Sequence, residues 1–210
     1  MVYSRFLAFM LFLAVTAPSA FSQSRPDALA EYRQGNYELA VQICRDELAV
    51  DASNLDSYVV MCWSLTRLRR YDEALRVART GRSYNRFDAR IAEILGEVYY
   101  FMGNNNESLQ YFQEYVNLAA GGTRMQTAYY YVGEIYIRMG KFRHADIALT
   151  TAVHWYPGNG SWWTRLGFAR ENAGDLTQAV TAYEQALTLN SQLPDARRGL
   201  ERTRQALANR

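Results

Sequence analysis

Small residues recur along this chain at a nearly constant spacing, and that spacing limits the fold more than any other feature. Ala40, Ala74, Ser108, Ala145 and Ala179 follow one another at steps of 34, 34, 37 and 34 residues. Ala28, Cys62, Gly96, Gly133 and Gly167 repeat the same steps, as do Gly35, Arg69, Gly103, Gly140 and Gly174. Self-similarity at this period marks a stacked array, in which each unit buries its apolar face only against its neighbours. The stretch 163–186 carries the columns most completely.

Within each period the apolar residues keep helical spacing, and Gly, Asn and Asp punctuate them. The pattern predicts helices over 26–34, 37–50, 55–68, 71–84, 89–102, 105–119, 124–139, 142–155, 161–172 and 176–189, then a last one from Pro194 to about 208. Short Gly-containing turns join antiparallel neighbours. The turn at Arg69-Arg70 lacks glycine and carries the weakest signal. Gly121-Gly122, with three extra residues, predicts either a bend or simply a longer loop. Ala78 and Gly81 predict thin packing and a looser segment over 78–84. The last helix is polar on most faces, so Arg197, Arg198, Arg202 and Arg204 read as a solvated cap rather than a nucleic-acid patch.

On these residues the chain resembles the tetratricopeptide repeat (TPR) family. The fifth copy has Trp163, Leu166, Gly167, Gly174, Ala179, Tyr183 and Ala186. The fourth has Gly133, Tyr136, Gly140, Ala145, Ala152 and Pro157, and the third has Leu95, Gly96, Tyr99, Gly103 and Phe112. The first two copies keep Gly35, Ala40 and Ala74. The resemblance covers about 25–193. It implies an all-α, right-handed superhelical α-solenoid of about five antiparallel helix pairs plus a C-terminal capping helix. The repeats fall at about 21–54, 55–88, 89–122, 126–159 and 160–193, with the cap at 194–208, inside a domain spanning 23–210. The physical reason for the pattern is close approach. Gly96, Gly133 and Gly167 are expected to face the column of Ser108, Ala145 and Ala179 where paired helices cross.

The resemblance also implies a concave groove lined by the first helix of each pair. Carried over position by position, it points to Trp63, Arg67, Glu97, Tyr100, Phe101, Tyr130, Glu134, Arg138, Phe168 and Glu171 as the partner-binding set. Large aromatics at positions that packing does not require suggest anchors. Glu97, Glu134, Arg67 and Arg138 would set a partner's orientation. Some TPR proteins grip a C-terminal carboxylate with Lys, Asn and Arg in these columns. Here the columns hold Val59, Trp63, Glu93, Glu97, Tyr130 and Glu134, and the glutamates should repel a carboxylate.

The N-terminus reads differently. Arg5 precedes the ten apolar residues 6–15, and Pro18, Ser19, Ala20 and Ser22 follow. This is the form of a secretory signal peptide over 1–22, cut after Ser22. The run is too short to span a bilayer well, and no later stretch predicts a transmembrane segment. Export permits a disulfide between Cys44 and Cys62, with two buried core thiols as the alternative. His144 and His154 lack companions at ligand spacing, so no metal site is expected. His144 should be exposed and His154 partly buried.

No nucleophile motif or phosphate-binding loop is present, which argues against an enzyme and against a cofactor. A net charge of +2 gives no case for nucleic acid. The resulting expectation is a non-enzymatic protein-interaction scaffold of the periplasm or cell envelope, holding a protein or peptide segment in its groove, with secretion as the alternative address. The competing expectation is a receptor or accessory subunit that binds a small hydrophobic ligand for an envelope transporter. Self-association is a third.

Overall fold

The computed structural model describes residues 27–119 and 121–209. The expected leader over 1–22 and Pro26 lie outside them. Eleven helices and no strand occur among the described residues: α1 (Ala28–Gln34), α2 (Tyr37–Val50), α3 (Leu55–Arg67), α4 (Tyr71–Tyr84), α5 (Ala89–Met102), α6 (Asn105–Leu118), α7 (Met125–Arg138), α8 (Phe142–Trp155), α9 (Gly160–Ala173), α10 (Leu176–Leu189) and α11 (Pro194–Ala208). Nearly every boundary lies within a residue or two of the sequence expectation.

Local chemistry sets those boundaries. Asp27, Asn54, Asp88, Asn159 and Asp175 each accept a backbone N–H of the helix that follows, satisfying donors that the first turn leaves open. Pro194 begins α11, where a missing N–H costs nothing. Four of the five turns inside helix pairs end the first helix on a left-handed glycine. The fifth turn places Arg69 in that conformation, at φ 58°.

Consecutive helices pack against each other along the whole chain. In addition α1 approaches α3, α3 approaches α5, α5 approaches α7, α7 approaches α9 and α9 approaches α11, whereas among the described residues the even-numbered helices come no closer than side-chain bridges such as Arg45–Glu73 and Arg82–Glu114. An array whose first helices meet and whose second helices diverge is curved, with the first helices on the inside. The core runs through it as successive clusters. One joins Val41, Cys44, Cys62, Leu65 and Ile91, and later ones centre on Phe112, Leu149 and Tyr183.

At the helix crossings the glycines also make room for a large side chain of the second helix. A Cβ on Gly96 would stand 3.0 Å from the Phe112 ring, one on Gly133 would stand 2.5 Å from Leu149, and one on Gly167 would stand 2.7 Å from Tyr183. Ser108 meets Gly96 at the crossing as expected, and its hydroxyl donates to the Gly96 carbonyl at 2.7 Å. The segment 78–84 is not thinly packed. Ala78 is fully buried, and a Cβ on Gly81 would stand 3.0 Å from Tyr58; the small side chains let α3 and α4 close together. His154 is exposed, not partly buried, because it points outward from the last turn of α8. The 34-residue rhythm breaks between α6 and α7, where a loop containing Gly121 at φ 79° carries the extra residues.

Candidate functional site

Four of the expected groove residues come together. Trp63 and Arg67 on α3 and Glu97 and Phe101 on α5 line an open cavity of about 330 Å³, joined by Tyr32, Thr66, Arg69, Tyr71, Arg124 and Tyr131. Trp63 packs beside Tyr32 with ring centroids 5.7 Å apart. Phe101 stacks on Tyr71 at 5.4 Å and still keeps 41% of its surface exposed. These rings line the concave side because α1, α3, α5 and α7 form it.

The other expected aromatics serve the stack itself. Tyr100 meets Tyr131 at 4.8 Å, and its ring face carries the Arg138 guanidinium 3.6 Å from the centroid. Arg138 also donates to the Tyr100 carbonyl at 2.8 Å. Tyr130 lies flat on Trp162 at 4.8 Å. Burial pushes its hydroxyl up to about 12. Tyr100 and Tyr131 are raised for the same reason. This aromatic run bridges α5, α7 and α9. Phe168 faces a separate cavity of about 300 Å³ with Thr164, Arg165, Tyr183, Asp195, Arg198 and Arg202, between α9 and α11.

The glutamates are not bare. Arg124, in the loop before α7, donates to Glu97 at 2.7 Å and pairs with Glu93 as well. Arg165 holds Glu134 by both carboxylate oxygens, at 2.6 and 3.0 Å. Glu171 accepts from Tyr183 at 2.7 Å and from Arg202 at 2.5 and 2.7 Å, which ties α11 to α9. Burial raises Glu93 to about 7 against the pull of Arg124, and burial raises Glu97 as well. The desolvation of Arg124 is outweighed by these two acids, so its pKa is raised. The repulsion expected to keep carboxylates out of the groove is therefore cancelled within the protein. Sequence columns missed Arg124, Arg165 and Arg202, although each follows its acid by 31 residues, a constant offset that the 34-residue register hides.

Cys44 and Cys62 are free thiols, both fully buried between α2 and α3. Cys62 donates to the Ala74 carbonyl at 3.6 Å. Burial pushes the Cys44 thiol up to about 12 and raises Cys62 too. Among the described residues no group of three His, Cys, Asp or Glu side chains could hold a metal ion, and no helix is long and apolar enough to cross a membrane.

With the stacked pairs and their inner face defined, known families can be compared. One tetratricopeptide repeat model matches residues 63–123 and a second matches 162–193. The chain contains tetratricopeptide repeats. Solved structures agree on the TPR solenoid. PilW, described as a widely conserved type IV pilus biogenesis factor, aligns with TM-score 0.74 at 21% identity, over 87% of this chain and 83% of its own. YrrB, described as a TPR protein with an unusual peptide-binding site, aligns with TM-score 0.71 at 16% identity, over 80% and 84%. MamA aligns with TM-score 0.67 at 19% identity, over 79% and 88%. At these identities the likeness concerns the fold. No curated protein sequence matches the chain.

Proposed function

We propose that this protein is a non-enzymatic scaffold of the periplasm or cell envelope that holds a segment of a partner protein in the α3–α5–α7 part of its TPR groove. One observation carries the reading. Trp63, Phe101 and Arg67 converge on an open cavity, Phe101 with 41% of its surface exposed and Trp63 only partly buried against the core. Half-exposed aromatics beside an arginine are the side chains that carry most of the energy at protein interfaces. The peptide-binding site named for YrrB, a protein of the same fold, gives the reading a precedent. The apolar run 6–15 behind Arg5, followed by Ala20 and Ser22, supports export. The cavity is an open, arginine-lined trough, which suits a polypeptide better than a small hydrophobic molecule.

The test is cross-linking of the chain, expressed with its native N-terminus, followed by capture from an envelope extract. The parent and a Trp63→Ala, Phe101→Ala variant are compared well below the thermal midpoint of either. The expected result is a polypeptide cross-linked at the groove in the parent and lost from the variant. Undiminished capture by the variant moves the site elsewhere. Fractionation with N-terminal sequencing addresses location: a chain starting at Gln23 outside the cytoplasm is expected, and a cytoplasmic chain retaining Met1 overturns it.

A further inference from the structure

The cavity between α3, α5 and α7 has an uneven charge balance that says which kind of segment fits it. Three arginines line it, Arg67, Arg69 and Arg124. Arg124 is committed to Glu93 and Glu97. Neither Arg67 nor Arg69 takes part in any ion pair among the described residues. Arg124 already holds the Glu97 carboxylate, and Arg67 leans on the Tyr32 hydroxyl, which raises its pKa, so the cavity keeps two cations without an ion pair beside the rings of Trp63 and Phe101.

Arg69 adds a second observation. The corresponding position in the other four pairs is Gly35, Gly103, Gly140 or Gly174, each left-handed. Arg69 adopts the same conformation at φ 58°, where an L-residue with a long side chain is strained. Strain of this kind persists where the side chain has a use that glycine lacks. Here Arg69 is one of the residues that line the cavity.

We infer that the α3–α5–α7 cavity selects an acidic segment of a protein partner, seating a carboxylate on Arg67 and Arg69 and an aromatic or aliphatic side chain against Trp63 and Phe101. Guanidinium groups bind carboxylates through paired, charge-assisted hydrogen bonds. The apolar walls favour a polypeptide over a bare polyanion, and the net charge of +2 supplies no wider basic surface for nucleic acid. This mode differs from a C-terminal carboxylate grip, because its cations come from the end of α3 and the turn after it. It rests on the partner-groove reading and adds the chemistry of the partner.

The experiment is selection of short random displayed peptides on the full chain, with the Arg67→Ala, Arg69→Gly variant in parallel. Arg69→Gly relieves the backbone strain, so the variant is expected to fold. The expected outcome is enrichment of peptides combining Asp or Glu with an aromatic or aliphatic residue. Their affinity should fall about tenfold or more in the variant and weaken with added salt. Enrichment of Lys- or Arg-rich peptides, of apolar peptides without acids, or of nothing overturns the inference. Unchanged affinity in the variant, or tighter binding of oligothymidylate than of the selected peptides, overturns it too. Selected peptides that need Trp63 but not the two arginines leave the scaffold reading standing while this inference fails. Selected peptides indifferent to Trp63, Phe101 and both arginines remove both.

Discussion

Arg165 holds Glu134 by both carboxylate oxygens, with Nε at 2.6 Å and Nη2 at 3.0 Å. Arg202 grips both oxygens of Glu171 in the same way, and Arg124 bridges one oxygen of Glu93 and one of Glu97; Glu93, Glu134 and Glu171 each lie on a first helix 31 residues before their arginine. Each link stitches one repeat to the next along the inner surface. These acids sit among aromatic rings, where an unpartnered carboxylate would be costly. Replacing Arg165 with Leu should therefore lower stability by about 1–3 kcal/mol, allowing for the partial exposure of the arginine. Denaturant titration of R165L and of E134Q/R165L checks this. The double variant should recover part of the loss, since it no longer buries a lone charge.

The α5 acids predict an unusual pH response. Burial raises the Glu93 carboxyl from 4.5 to about 7 in the folded chain, and Glu97 moves the same way. The folded protein thus binds these protons more tightly than the unfolded chain does. By linkage, stability is highest near the unfolded value and falls as the pH rises from about 4.5 through about 7, by up to about 3 kcal/mol for Glu93. Carboxyls with lowered values, such as Glu73, Asp88 and Glu171, act only at more acidic pH. Thermal midpoints from pH 5 to 8 should decline for the parent and stay nearly level for the Glu93→Gln, Glu97→Gln variant. A level parent curve would show that Arg124 keeps both acids ionised throughout.

The helix crossings predict a position-specific intolerance to a single methyl group. A Cβ on Gly167 would stand 2.7 Å from Tyr183, whose hydroxyl is fastened to Glu171 and so cannot swing away freely. Gly167→Ala should cost about 1–3 kcal/mol. Gly158→Ala meets nothing within 4 Å and should be close to neutral. Equal melting temperatures for the two variants would contradict the observed crossing.

The two cysteines predict inertness. The thiols are buried, with Cys44 pushed up to about 12 and Cys62 raised as well. Almost no thiolate exists near neutral pH, and thiolate is the reactive form. Folded protein should resist alkylation by iodoacetamide, and denatured protein should take two labels. Intact mass with and without reductant should agree; a difference of two hydrogens would instead reveal the bridge that export permits.

The helix framework could be read from sequence because its determinants are local. Capping Asp and Asn, glycines at turns and apolar spacing all act within a few residues. The groove face could be read in outline, since first helices share a register. Which groove aromatics stay open could not. Trp63 and Tyr130 are both large residues on inner helices, each packed on a ring of an adjacent repeat, Tyr32 and Trp162, yet only Trp63 also borders the α3–α5 cavity. The arginine partners were also hidden, because the 31-residue offset crosses the register, and Arg124 comes from the irregular loop that the register skips. Arg69 looked like a weak turn, and its left-handed backbone shows the turn is ordinary while its residue is not.

That division among the aromatics yields a prediction separating binding from stability. Trp63 and Phe101 border the open cavity, whereas Tyr130 lies stacked between repeats with a raised hydroxyl pKa. Loss of an interface anchor costs about 2 kcal/mol or more of binding, and loss of a packed ring lowers stability by a similar or larger amount. Trp63→Ala should weaken capture of the groove partner about thirtyfold, measured well below a midpoint that also falls because the ring packs on Tyr32 and the core. Tyr130→Ala should lower the midpoint clearly, and binding measured well below that midpoint should fall far less. Calorimetric affinity and thermal unfolding on the same two preparations decide it. If Tyr130→Ala abolished binding in a still-folded protein while Trp63→Ala did not, the partner would occupy the α7–α9 stretch instead of the α3–α5 cavity.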